Sequence, residues 1–401
     1  MELNEKTPAG SYLVGRFFDG ISSGLFMMAL PWVMLSTPNM GVFVSLVALV
    51  CTVISFVLTP VLSTVIDRYS RKNILILVQL SQAATAAVVA SVYGLGFSSN
   101  WLLAAAQLIF WVSGNVAWAT NHAFTQENFY PHEYASISGK QEVTMQATTL
   151  GAGALGVALL QRWGMFEFSI FAAMASAMSV ICYFFTPYRR QLRHSLSLSF
   201  IQLMTQSRII FTRQPHFYLF LMLSALCYPI LTFLEQLVPI WFSQTGISGG
   251  WFAAYNIAFA LGSLITGVFI SRLLTIGPYP LIMIAAMAFA AMMLVGMSLS
   301  TSLPLLMMFT FCFGFFNALN RIARVNLMHH SIHIDQRGRA DGGLKMFSTF
   351  AQSISYVVIA LLSHFGIAHF GFFIAAGVLV LSVLMMMRLH KRPNLVVSAS
   401  S

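Results

Sequence analysis

Arg16, Asp19, His122, Glu235, Arg321 and Arg324 all stand inside long apolar stretches of this 401-residue chain. A charge held in hydrocarbon costs about 3 kcal/mol or more unless it is paired or hydrated, so each is a candidate for chemistry. Arg16 and Asp19 are three residues apart and can pair on one helix face. They either line a cavity, or satisfy one another and snorkel to the near interface. Glu235 precedes Pro239 by four residues and has no basic neighbour in sequence, which suits a group that gains and loses a proton. The competing roles are a protonated, hydrogen-bonded structural carboxyl and one exposed at the outer surface. Arg321 and Arg324 follow Asn317 and Asn320. Two guanidiniums and two amides on adjoining faces could hold a carboxylate or phosphate bidentately, or the guanidiniums could snorkel to headgroups. Asn115 and His122 are seven apart, as are Asn317 and Arg324, so each pair shares a face. A histidine can exchange protons near neutral pH, which makes His122 a candidate, although a lone histidine at a helix end is more often structural. Glu142 reads as interfacial.

The elements that must position these residues are membrane spans. Hydrophobic residues make up 58% of the chain and charged residues 8%, against about 25% charged in a soluble domain. Spans are expected at 11–35, 41–66, 73–97, 101–126, 139–161, 165–187, 215–242, 248–273, 278–298, 303–326, 341–364 and 367–389. About 20 residues cross a bilayer core, so each is long enough. Basic residues collect in every second gap, from Arg68, Arg71 and Lys72, through Lys140, Arg189 to Arg213, Arg272 and Arg337 to Lys345, to Arg388, Lys391 and Arg392. Arg162 is the exception in the other gaps, while Arg16, Arg321 and Arg324 lie inside spans. Such alternation puts both termini in the cytoplasm. The +10 charge is dispersed over gaps and forms no stripe, which excludes nucleic acid and leaves anionic lipid headgroups as its partner. Cys51, Cys182, Cys227 and Cys312 each fall in an apolar stretch without metal-like spacing. The polar Met1–Ala9 segment is not expected to be a cleavable signal.

The gap at 188–214 divides the chain into an N-terminal bundle, 1–187, and a C-terminal bundle, 215–401. The gap itself is basic, and Phe200, Leu203, Met204 and Phe211 recur as in a helix lying on the membrane surface. The halves read as weak repeats: span 1 ends Ala29-Leu30-Pro31-Trp32 and span 7 ends Val238-Pro239-Ile240-Trp241. Duplicated six-helix halves are a transporter architecture with the substrate between the repeats. No phosphate-binding Gly-rich loop is present, which argues against a nucleotide-driven pump.

The gap after span 2 reads Ser63-Thr64-Val65-Ile66-Asp67-Arg68-Tyr69-Ser70-Arg71-Lys72. It resembles the signature loop of the major facilitator superfamily, with Ser63 and Ser70 where the family has glycine. The resemblance extends over the whole chain in span count, division and loop placement. It implies two pseudo-symmetric all-α six-helix bundles, with Asp67, Arg68, Arg71 and Lys72 governing the outward-open to inward-open change. The matching loop around Arg272 is degenerate, and Asp335–Asp341 is similar to the family's stretch before span 11, with Pro131-His132-Glu133-Tyr134 as its counterpart. Span 5 carries Gly151, Gly153 and Gly156 but lacks the proline that accompanies such glycines in exporters of the superfamily. Tight helix packing explains the glycines equally well. Gly15-Arg16-Phe17 and the Ala-Leu-Pro of span 1 look most like the siderophore and drug exporter branch.

The resemblance thus implies a secondary transporter in a bacterial inner membrane. It would be monomeric and without cofactor, and would couple protons to export of a siderophore-like or amphipathic compound. Cationic-drug efflux, with Asp19 and Glu235 as counter-charges, is the alternative, and nutrient import follows it. A membrane enzyme would need a cluster such as His329, His330, His333 and Asp335, which the span boundaries put in a cytoplasmic loop. A sensor or scaffold of the same fold is the remaining class.

Overall fold

A computed structural model of the chain describes residues 9–129, 134–188, 211–332 and 334–391. The basic segment at 189–210, with its surface-helix pattern, lies outside the described residues, as do 131–133 and His333.

The described residues are helical almost throughout. The order is α1 Ala9–Leu35, α2 Gly41–Arg68, α3 Arg71–Gly94, α4 Asn100–Asn128, α5 Tyr134–Leu159, α6 Met165–Phe184, α7 Pro215–Ala225, α8 Cys227–Thr245, α9 Gly249–Leu273, α10 Tyr279–Leu299, α11 Leu303–Ser331, α12 Ile334–His364 and α13 Gly371–His390. Local chemistry sets the ends. Ser70 and Ser99 accept from Asn73 and Leu102 backbone N–H groups at the starts of α3 and α4. Glu167 reaches back to the Gly164 N–H at 2.9 Å at the start of α6. Gly246 closes α8 at φ 70°, the left-handed conformation that costs glycine least.

Eleven described segments are long and apolar enough to cross a membrane, with α7 and α8 together forming one of them. The remaining long helix, α5, carries Lys140, Gln141, Glu142, Thr144, Gln146 and Thr148 in its first half, which lowers its hydropathy.

Three boundaries differ from the sequence expectation. Span 7 is not one helix: it breaks at Leu226 between α7 and α8. α12 starts at Ile334, so Asp335–Asp341 is helix rather than gap, and Lys345 stands eleven residues inside. α11 runs on to Ser331, so His329 and His330 end a helix rather than occupy a loop. No group of three His, Cys, Asp or Glu suited to a metal occurs among the described residues.

Two compact units emerge. The first contains 1–40, 47–197 and 248–253. In it α3 packs on α6 and α4, and α1 packs on α6 and α5. Small residues on α1 allow this approach: a methyl at Gly15 would stand 2.9 Å from the Tyr183 ring, and one at Gly24 3.2 Å from Ala152 Cβ. Gly151 and Gly156 of α5 serve the same end, against Ile21 at 3.1 Å and Met28 Sδ at 2.9 Å. Polar side chains stitch the helices, with Ser22 donating to the Ala172 carbonyl at 3.0 Å and Ser179 to the Gly15 carbonyl at 2.9 Å. At the other end of α1 Trp32 stacks on Phe252, centroids 5.8 Å apart, and Gln161 donates to Ser248 Oγ at 2.9 Å.

The second unit contains 41–46, 198–247 and 254–401. Here α10 packs on α11 and α13, and α12 on α8. α9 and α11 cross with backbone almost on backbone. A methyl at Gly262 would overlap the Phe311 carbonyl oxygen, and one at Gly314 would overlap that of Phe259. Thr266 Oγ1 donates to the Phe315 carbonyl at 2.8 Å, and Ser263 Oγ to that of Gly314 at 3.2 Å.

Candidate functional site

In the first unit the two charges inside α1 satisfy one another. Arg16 Nη1 donates to Asp19 Oδ2 at 3.3 Å, and the side chains retain 20% and 7% exposure respectively. Asp19 Oδ1 also accepts from Gln79 Nε2 at 2.8 Å and from Ser23 Oγ at 3.1 Å. Two helical turns toward the N-terminus, Tyr12 donates to Asn121 Oδ1 at 2.9 Å, while Gln141 Nε2 is shared between the Tyr12 hydroxyl at 2.7 Å and Thr125 Oγ1 at 2.8 Å. Tyr12, Phe124, Phe129 and Tyr183 wall this network in. A buried polar group without a partner is costly, so a network this connected holds α1, α3, α4 and α5 in one arrangement. Asn115 of α4 is outside that network and donates to Ser55 Oγ and the Trp111 carbonyl, both at 3.0 Å.

The loop between α2 and α3 belongs to this unit. Lys72 Nζ donates to the Phe184 carbonyl at 2.8 Å and the Thr186 carbonyl at 2.7 Å. It thereby covers the C-terminal end of α6, where a cation meets unsatisfied carbonyls. Arg71 is half-buried at the first position of α3. The side chains of Asp67, Arg68, His122 and Glu142 lie outside the described residues.

The second unit is built around the broken span. Pro229 lacks the N–H that would bond the carbonyl of residue 225, and the chain turns at Leu226. The Ser224 carbonyl there accepts from Asn320 Nδ2 at 3.1 Å and Arg324 Nη1 at 2.9 Å. Ser224 Oγ returns a bond to Asn320 Oδ1 at 2.8 Å. Asn320 and Arg324 are therefore engaged in holding the break. Arg321, the next residue on α11 after Asn320, is exposed, and no partner for it or for Asn317 occurs among the described residues.

Just past the break, the Pro215–Thr245 span is the most enclosed of all, 72% buried along its apolar window. One stripe in the first half of α8 departs from this: Tyr228 is 41% exposed, Leu231 is half-buried and Glu235 is exposed, while Leu234, Gln236, Leu237 and Val238 are buried. Tyr228 and Tyr255 both lie within electrostatic reach of Glu235. Lys345 of α12 stands over the Tyr228 ring with its ammonium 5.1 Å from the centroid. The exposed residues Phe373, Ile374, Leu381 and Leu384 of α13 are, by contrast, all apolar. A stripe carrying a carboxylate and a phenol, with an ammonium from α12 over the phenol ring, is of the kind that faces a bundle interior or a water-filled cavity. Sequence reasoning missed Tyr228, Tyr255 and Lys345. Tyr228 and Glu235 are seven apart on one face, a spacing that could have found them.

The Major Facilitator Superfamily model matches residues 12–275 and 248–400. The chain belongs to that superfamily. It is a multi-pass membrane protein and a secondary transporter, a class whose members are not in general enzymes. Solved structures agree on the fold. A bacterial homologue of the iron transporter ferroportin, in its inward-facing state, aligns with TM-score 0.76 and 13% identity over 97% of this chain and 100% of its own. An autoinhibited POT family peptide transporter aligns with TM-score 0.75 and 11% identity over 96% and 97%. The human organic anion transporter MFSD10 (TETRAN) aligns with TM-score 0.66 and 16% identity over 96% and 100%. Identities this low carry the fold alone. No curated protein matches the chain.

Proposed function

We propose that this transporter is a monomeric, proton-coupled exporter of a siderophore-like or other amphipathic organic compound in a bacterial inner membrane, with Glu235 as its proton-exchanging group. The observation that carries this reading is the stripe on α8, which exposes a carboxyl group on a largely enclosed span. No Lys, Arg or His among the described residues lies within 4 Å of Glu235, so no ion pair holds it in one protonation state. Asp67, Arg68, Arg71 and Lys72 act as the gating loop, through movement of the halves 1–187 and 215–401 about the 188–214 linker. Arg324 and Asn320 position the helix break, while Asn317 and Arg321 of the second unit contact substrate.

Cationic-drug efflux would need Asp19 as a free counter-charge. Its three donors, Arg16, Gln79 and Ser23, occupy it, which favours the siderophore-like substrate. The test is Glu235→Gln in inverted vesicles supplied with a catecholate siderophore. The wild type should move it in step with an imposed proton gradient. The variant should lose that dependence, and an unaltered pH profile would remove Glu235 from the mechanism.

A further inference from the structure

We infer that Lys345, seated on the Tyr228 ring, is the binding point for an anionic group of the substrate, of the aromatic carboxylate class. The inference rests on the transporter reading above and names the charge of what it carries.

Lys345 is exposed, and no carboxylate oxygen lies within 4 Å of its ammonium among the described residues. Its contact is instead the face of Tyr228 at 5.1 Å. A ring face attracts the cation but satisfies none of its three donors, so the ammonium stays available to an incoming anion. It stands five residues into the candidate membrane span Ala340–His364. Lys345 is eleven residues into α12, about 16 Å along the axis from the helix start at 1.5 Å per residue. Tyr228 is fixed in turn, because it follows closely on the break that Asn320 and Arg324 pin through the Ser224 carbonyl.

The surroundings agree in sign. Arg321 is exposed, and Arg324, one turn further along α11, carries positive charge to the break itself. The nearest acidic residue in sequence, Asp341, lies one turn before Lys345 and within electrostatic reach of Arg324. Against these cations the stripe offers Glu235, two turns further along α8 than Tyr228 and about 10 Å along the axis. That separation fits a molecule with a carboxylate at Lys345, an aromatic body along Tyr228 and Leu231, and its far end at Glu235. A guanidinium at 345 would keep the charge and stack on the same ring, whereas an amide would lose the charge.

The experiment uses the purified full-length protein in detergent micelles, with salicylate, 2,3-dihydroxybenzoate and 2-naphthoate as anionic probes and tetraphenylphosphonium as the cationic one. Binding is read by calorimetry. The wild type should bind at least one of the three carboxylates and bind it more tightly than tetraphenylphosphonium. Lys345→Gln should weaken that binding tenfold or more, and Lys345→Arg should hold it within about threefold, which shows that the site folds with 345 replaced. Tyr228→Leu should weaken it less than Lys345→Gln. Unchanged carboxylate binding in Lys345→Gln, no carboxylate binding by the wild type, or a preference for tetraphenylphosphonium would each overturn the assignment. The measurement applies no gradient. A transporter that fails the proton test at Glu235 can therefore still pass here, and one that passes there can fail here.

Discussion

Breaking the Arg16–Asp19 pair should cost less in the double variant than the two single variants cost when added. At 3.3 Å the Coulomb attraction is about 5 kcal/mol for an effective dielectric of about 20. Arg16 keeps 20% of its side chain exposed and Asp19 only 7%, so water screens part of the attraction and desolvation of the carboxylate opposes it. A net coupling of about 2.5 kcal/mol remains. Asp19→Asn keeps the shape and a carbonyl oxygen for Gln79 or Ser23 but strands the guanidinium among Tyr12 and Tyr183, at about 3 kcal/mol. Arg16→Gln leaves Asp19 with the Gln79 and Ser23 donors, so it costs less, about 2 kcal/mol. The double variant should then lie near 2.5 kcal/mol rather than near the additive value of about 5. Denaturant unfolding of the purified protein in mixed micelles measures all four corners of the cycle. Additivity within about 0.5 kcal/mol would show that the two groups are neighbours without energetic coupling, and would return Asp19 to the set of free cavity carboxylates.

Two further expectations follow from the fold. Gly262→Ala would push a methyl into the Phe311 carbonyl and to 2.9 Å from the Phe315 nitrogen, costing about 1–3 kcal/mol of overpacking. Gly267→Ala on the same helix meets nothing within 4 Å and should be neutral or stabilising, so equal thermal midpoints for the two variants would refute the close crossing. Asp67→Asn should impair transport while membrane insertion, followed by fractionation and protease-accessibility assays, stays intact; wild-type transport in that variant would remove the gating role.

The spans were legible because hydropathy and basic-gap alternation are both averages over many residues, and no single substitution hides them. The break in span 7 was not. Pro229 was visible, yet Pro31 and Pro239 sit inside α1 and α8 without parting them. What separates the cases is the pin on the Ser224 carbonyl beside the break, supplied by Asn320 and Arg324 from 96 and 100 residues away. A sequence shows the proline but not the distant donors that make a break tolerable. Lys345 was grouped with the cytoplasmic cluster Arg337 to Lys345 by its position in sequence, and the early start of α12 places it well inside a helix. Arg16 and Asp19 were legible as a pair because their spacing is local, whereas Gln79, sixty residues on, was not.

The same contrast separates the two units chemically. In the first, every ionised side chain described inside α1 has a partner, and the donors around Asp19 come from α1 and α3. Such a network resists change, since moving either helix strands a charge in a dry interior. In the second, Asn320 and Arg324 direct hydrogen bonds to a backbone break, while Glu235, Arg321 and Lys345 are left without ion pairs among the described residues. Unpaired charges in a span persist only where water or a ligand reaches them. The proposed proton exchange at Glu235 and anion binding at Lys345 both fall on elements of the second unit, α8 and α12. Arg16 and Asp19, the first candidates that spacing alone would choose, belong to the scaffold that holds the first unit rigid.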